Sequence, residues 1–199
     1  MPVGDSRIVH IRLTFAVEAF NLIFNSIIKT ERLILRCKDQ SDAEHLFRLR
    51  SDPEYFELFG RECYTDISQA HEFIKKLNED EFSYTFAIVP KDSAIAPDAI
   101  GSICLWNIEY DKKIAEIGYT LEKGYRGRGY AFEACEAVIK YAFEELGMKT
   151  ITAFPKITNQ PSVNLARKLG FECMGIIEMS MESGEAAEHY DFRLNMLKL

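Results

Sequence analysis

The run GYRGRGYAFEA, residues 124–134, alternates glycine with arginine where an apolar, strand-like stretch gives way to a helix-like one. Gly127 and Gly129 let the backbone come close to a ligand, and the first-turn N–H groups of a helix lack partners within it, so such a junction can hold a phosphate. Arg126 and Arg128 can add charge-assisted hydrogen bonds to the same group. Two common phosphate loops are excluded. No Gly-Lys-Ser/Thr run follows, and Phe132 stands where the dinucleotide-binding pattern has its third glycine. Taken alone, the segment could equally be a strand-to-helix turn with solvated arginines. Metal chemistry has less footing. Cys37, Cys63, Cys104, Cys135 and Cys173 are odd in number without CxxC spacing, and His10, His45, His71 and His189 are dispersed. No metal is assigned.

Periodicity gives the elements that must position this junction. Residues 30–37, TERLILRC, read as a strand with Leu33 and Leu35 on one face. Residues 41–52 read as a helix capped by Ser41 or Asp42 and ended by Pro53. A second helix follows over residues 66–80, with Ile67, Ala70, Phe73, Ile74 and Leu77 at spacings of three and four. Three strands come next; in the last, Ala115, Ile117, Tyr119 and Leu121 share a face and Glu116 points the other way. Beyond the glycines, Ala131, Ala134, Cys135, Val138, Ala142 and Leu146 make a helical stripe that stops at Gly147. A short strand over residues 148–154 leads to a helix opened by Asn159, with Pro161 in its first turn, and closed by Gly170. Two final strands place Tyr190, Phe192, Leu194 and Met196 together. The order is strand, two helices, three strands, helix, strand, helix, two strands. It predicts an α/β fold of the mixed, α+β kind around one sheet.

A chain of 199 residues with 47% hydrophobic content can build one domain with its own core. A net charge of -7 and a pI near 5.2 argue against nucleic acid as a partner and suit an amine-bearing one. The cysteine usage fits a reducing, cytoplasmic setting. Residues 15–28 are apolar, but Glu18, Asn21, Asn25 and Ser26 interrupt them, so neither a membrane span nor a signal peptide is expected. Residues 1–28 are set apart as an N-terminal extension of unassigned role, and 29–199 as the functional domain.

Residues 126–131, Arg-Gly-Arg-Gly-Tyr-Ala, resemble the R/Q-x-x-G-x-G/A signature of the GNAT N-acetyltransferase superfamily, with Ala131 in the last place. TERLILR at 30–36, EIGYTLEKGYRGRGYAFEA at 116–134 and NQPSVNLARKLGF at 159–171 resemble successive landmarks of the RimJ/RimL-like ribosomal-protein N-acetyltransferases. The resemblance spans about residues 30–199 and implies acetyl-CoA as cofactor, with CoA as product. It places the pyrophosphate on the amides of Arg126, Gly127, Arg128, Gly129, Tyr130 and Ala131. It runs the pantetheine arm past Tyr119, Thr120 and Leu121, in a gap between two splaying parallel strands. Asn159 and Ser162 would then touch the pantetheine or the departing thiolate, although Asn is also a favoured helix cap and Ser a common first-turn residue. One position departs from the family pattern. Ala166 stands where many members carry a tyrosine as thiolate acid, which leaves Ser162 or a water for that task.

Acetyl transfer needs a neutral amine, which at pH 7 costs roughly 4.6 kcal/mol for a lysine and about 1 kcal/mol for an α-amino group. A base is therefore valuable. Glu116 is the first candidate, because its counterparts in the family often face the acceptor; Glu178, Glu182 and His189 are weaker ones. By the same analogy the acceptor is a protein N-terminal α-amine, with a small amine such as a polyamine, an amino sugar or an amino acid as the alternative. An acyl-CoA-binding sensor without turnover stays open because of Ala166 and the unsettled base. No nucleic-acid or membrane partner is expected, and assembly as a homodimer is left open.

Overall fold

Strict alternation buries Leu33 and Leu35 completely in the strand Leu33–Cys37, as a period of two requires. The computed structural model describes residues 27–77, 79–80, 82–92, 94–95, 98–180 and 184–196. In chain order they form β1 (Ile27–Lys29), β2 (Leu33–Cys37), α1 (Ala43–Arg50), α2 (Pro53–Phe59), α3 (Ile67–Leu77), β3 (Tyr84–Pro90), β4 (Gly101–Glu109), β5 (Ile114–Leu121), α4 (Tyr130–Glu144), β6 (Thr150–Ala153), α5 (Gln160–Lys168), β7 (Glu172–Ser180) and β8 (Ala186–Asn195). One eight-stranded sheet runs β1-β2-β3-β4-β5-β6-β8-β7. Every pairing in it is antiparallel except β5 with β6. This is the mixed α/β sheet expected.

The two faces of the sheet differ. Ile103 and Leu105 of β4 enter the main core with Phe86, Ile117 and the α4 stripe of Ala134, Val138 and Ala142. Burying each large apolar side chain stabilises the fold by roughly 1.5–3 kcal/mol, so this alternation fixes the register. Ser102, Cys104 and Trp106 take the opposite face. There a smaller core of Ala43, Leu46, Ala70 and Ile74 joins α1 to α3.

Pro53 does not merely end a helix; it opens α2, with the Asp52 side chain accepting from Glu54 N at 3.0 Å. Proline suits a first helical turn, whose N–H would be unpaired anyway. Asp42, one of the two caps expected, is the N-cap of α1 without a side-chain cap bond to it; Asp39 caps the 3-10 turn Gln40–Asp42 just before, accepting from Ser41 N while Asp42 reaches back to the Asp39 amide in a capping box. In addition, β1 pairs with β2, with Ile27 opposite Arg36 and Lys29 opposite Ile34.

β5 has partners of unequal length. It pairs with β4 from Ile114 to Leu121, but with β6 only at Ile114, Ala115 and Glu116. β6 ends at Ala153. Residues 117–121 of β5 therefore have no strand on that side among the described residues. Inside an otherwise continuous sheet, this is the predicted splay.

Candidate active site

Gly127 and Gly129 have φ of 73° and 82°, the left-handed region that glycine enters without strain. Gly129 is the N-cap of α4 and gives no side-chain cap, so the first amides of that helix point outward. A Cβ at Gly127 would meet nothing within 4 Å, which leaves open space in front of the loop. The loop is held from behind by Arg32, which the sequence reading gave no role. Its Nη1 donates to Arg128 O at 2.9 Å, its Nε donates to Glu133 at 2.6 Å, and its guanidinium covers the Tyr130 ring at 4.7 Å. Burial pushes the Glu133 carboxyl up, but hydrogen bonds from Thr30 and Arg32 hold it below its ordinary range.

The two loop arginines part ways. Arg126 is tied down, with Nε on Leu121 O at 3.0 Å and Nη1 on Glu54 of α2 at 2.9 Å. The Arg128 side chain is exposed, with its guanidinium 5.9 Å from the Tyr125 ring centroid. Ala131 is half-buried near the start of α4.

Across the splay stand Tyr119 and α5. Asn159 caps α5 by accepting from Ser162 N at 3.3 Å, as a favoured helix cap does. Ser162 Oγ lies 3.0 Å from the Tyr119 hydroxyl, so the serine faces the unpaired run of β5. Burial pushes the Tyr119 phenol up to about 12, against the hydrogen bond with Ser162. The Tyr119 side chain thus adds a hydroxyl beside Ser162, while Ala166 is buried and has none to offer. Thr120 lies opposite Ser102 on the other face of β5.

Glu116 sits at the last paired position of β5 with β6 and is only 9% exposed. Burial raises its pKa above the usual carboxylate range, and a hydrogen bond from Asn107 Nδ2 to Oε2 at 2.9 Å works against that rise. The Trp106 indole N–H also favours the charged carboxylate, although it is buried without meeting hydrogen-bond geometry. Asn107 comes from a bulge, where β4 slips register against β5 between Trp106 and Glu109, and its φ is 47°. Asn tolerates that conformation better than most residues. No local pattern signals this pair, because a bulge is a property of two strands together.

The other base candidates lie elsewhere. Glu178 is exposed on β7, opposite Glu188 and three strands from β5. His189 Nδ1 faces Ala187 O at 3.0 Å, and Glu182 lies outside the described residues.

A glycine loop with open space before Gly127 stands beside a gap in the sheet that has a buried carboxylate on one face and a hydroxyl pair on the other. The chain matches the acetyltransferase (GNAT) domain over residues 32–172 and belongs to that family. It is 32% identical over 170 residues to the Bacillus licheniformis protein named "Uncharacterized N-acetyltransferase p20", covering 83% of this chain and 93% of that one. It is an N-acetyltransferase. Two solved structures share its fold at a TM-score of 0.74: spermidine N-acetyltransferase from Vibrio cholerae with CoA and spermine, at 20% identity, and the ribosomal-protein α-N-acetyltransferase RimL with coenzyme A, at 17%. Each aligns over 85% of this chain and 98% of its own. Among the described residues, no helix is long and apolar enough to cross a membrane.

Proposed function

We propose that this chain moves an acetyl group from acetyl-CoA to a neutral amine, and that the acceptor is a peptide N-terminal α-amine. The observation that carries the reading is the buried Glu116 carboxylate beside the unpaired run of β5. The open space before Gly127 suits a pyrophosphate, and the free edge of residues 117–121 suits an amide-bearing arm. Arg128, rather than Arg126 with its Glu54 partner, supplies the mobile positive charge.

When bound, acetyl-CoA supplies a thioester whose acyl carbon an amine can attack. Glu116 takes the proton from the incoming amine, and burial makes it a better base than a solvated glutamate. A backbone N–H on the free edge of β5 can polarise the acyl oxygen. On the opposite face, burial favours the protonated phenol of Tyr119, and its hydroxyl can donate to Ser162, either oxygen of that pair being a possible donor. Donation from Tyr119 leaves the serine hydrogen free for the leaving sulfur. An α-amine suits a single carboxylate base, because its neutralisation at pH 7 costs about 1 kcal/mol against roughly 4.6 for a lysine. The fold shared with RimL points the same way, and the fold shared with the spermidine enzyme keeps a small amine as the second reading.

Free-thiol release from acetyl-CoA, measured with peptides and small amines, tests the proposal. Peptide α-amines should turn over best, and Glu116→Gln should cut kcat/KM by on the order of a hundredfold. CoA binding without thiol release from any amine would favour a sensor, and full activity in Glu116→Gln would remove Glu116 as base.

A further inference from the structure

Two cations are buried on the Glu116 face of the sheet, neither in ion-pair contact with a carboxylate among the described residues. Lys38 follows β2, is 3% exposed, and its Nζ donates to Ser102 Oγ at 2.6 Å. Arg50 ends α1 and is 8% exposed. Its guanidinium lies 3.7 Å from the Phe73 ring centroid, is flanked by Tyr55 and Tyr64, and donates to the Tyr64 hydroxyl at 2.5 Å. Burial lowers the Lys38 pKa to about 8, while the Asp42 carboxylate works to raise it and the Arg50 guanidinium to lower it, so both charges lie near the ammonium. The nearby acids are already engaged. Asp42 takes both Nη atoms of Arg36 at 2.8 Å, and Glu122 takes His45 Nδ1 at 2.9 Å and Arg48 at 3.6 Å. No carboxylate among the described residues lies within ion-pair distance of Lys38 or Arg50. His45, 2% exposed, has a second ring nitrogen with no partner.

A buried cation without a counter-charge is costly, and the three donors of a lysine and five of an arginine exceed the single hydroxyl each one meets here. A structural role alone would be served as well by an apolar side chain of similar size. The location points to a ligand. Ser102, Cys104 and Trp106 share one face of β4, and Glu116 lies directly across from Trp106. From Ser102 to Trp106 is about 13 Å along the strand, with Lys38 Nζ at the Ser102 end and Glu116 at the Trp106 end.

We propose that Lys38 and Arg50 bind an anionic group, a carboxylate or a phosphate, that the acceptor carries about three to four extended residues from its amine. The acceptor is then an anion-bearing amine, peptide-like in reach, and a bare polyamine is disfavoured. The inference rests on the reading of this face as the acceptor side.

The test compares tripeptides that differ only in a free or amidated C-terminus, together with an aminoalkyl phosphate and its alcohol. The free acid should show a kcat/KM on the order of tenfold higher, carried by KM. A phosphate advantage larger than the carboxylate one would name phosphate as the source. Lys38→Met, which removes the charge but keeps the bulk, should bring the acid-to-amide ratio close to one, and Lys38→Arg should restore part of it. Equal turnover of acid and amide by the unaltered protein overturns the proposal, as does a ratio that survives Lys38→Met. Calorimetric binding of the N-acetylated tripeptide acid and amide to the CoA complex needs no turnover. Preference for the acid there, with no amine acetylated, would keep the anion site and sink the acetylation reading.

Discussion

Replacing Gly127 with alanine separates the cost of backbone strain from the loss of a ligand seat. The residue has φ of 73°, where an L-residue pays roughly 1–2 kcal/mol, and its new Cβ would touch nothing within 4 Å in the free protein. For a chain of this size each kcal/mol moves Tm by about 2–4 °C, so Gly127→Ala alone should melt about 2–8 °C lower. Gly147 supplies the control: its φ is 65°, its Cβ position is equally open, and it lies past the far end of α4. Gly147→Ala should therefore cost the same strain with no effect on the ligand. CoA at 100 times its Kd stabilises the native state by about 2.7 kcal/mol. If the new methyl group weakens binding about tenfold, the same CoA concentration gives only about 1.4 kcal/mol, half the rise in Tm. Differential scanning fluorimetry with and without CoA reads both numbers. A CoA-induced rise in Gly127→Ala equal to that in the unaltered protein and in Gly147→Ala would refute the pyrophosphate seat.

Three further outcomes are expected. Asn107→Gly keeps the left-handed backbone but removes a hydrogen bond that favours ionised Glu116, so the acid limb of the kcat/KM profile should move to higher pH; an unmoved limb would detach Asn107 from the base. Tyr119→Phe should lower kcat on the order of tenfold with the amine KM unchanged, and steady-state kinetics that show the reverse pattern would assign Tyr119 to acceptor binding instead. Arg128→Glu should raise the Kd of CoA about tenfold and weaken its salt dependence while leaving Tm of the free protein alone, because the side chain is exposed; isothermal titration at two ionic strengths decides.

What could be read from the sequence was local. Leu33, Leu35 and the alternating face of β5 follow from a period of two, and Asn159, Pro161 and Gly170 bracket α5 by capping chemistry. Pro53 shows how two true rules compete: proline stops one helix and starts another, and only the Asp52 cap decides between them. The glycine seat was visible, but the fate of its arginines was not, since Arg126 meets Glu54 from 72 residues upstream. Asn107 with Glu116, and Tyr119 with Ser162, depend on which strands and helices become neighbours. Burial of Lys38 and Arg50 is invisible to any local pattern, because charged residues are ordinarily exposed.

The tie between Arg32 and the glycine loop also bears on the order of events during synthesis. Arg32 meets Arg128 across 96 positions and Glu133 across 101, so the first hairpin leaves the ribosome long before the segment it must hold. Closing so long a loop is slow and happens only with the surrounding sheet in place. A peptide that carried the glycine motif alone would lack this clamp and should not capture CoA. Retention on immobilised CoA thus doubles as a report that the two distant parts of the chain have found each other.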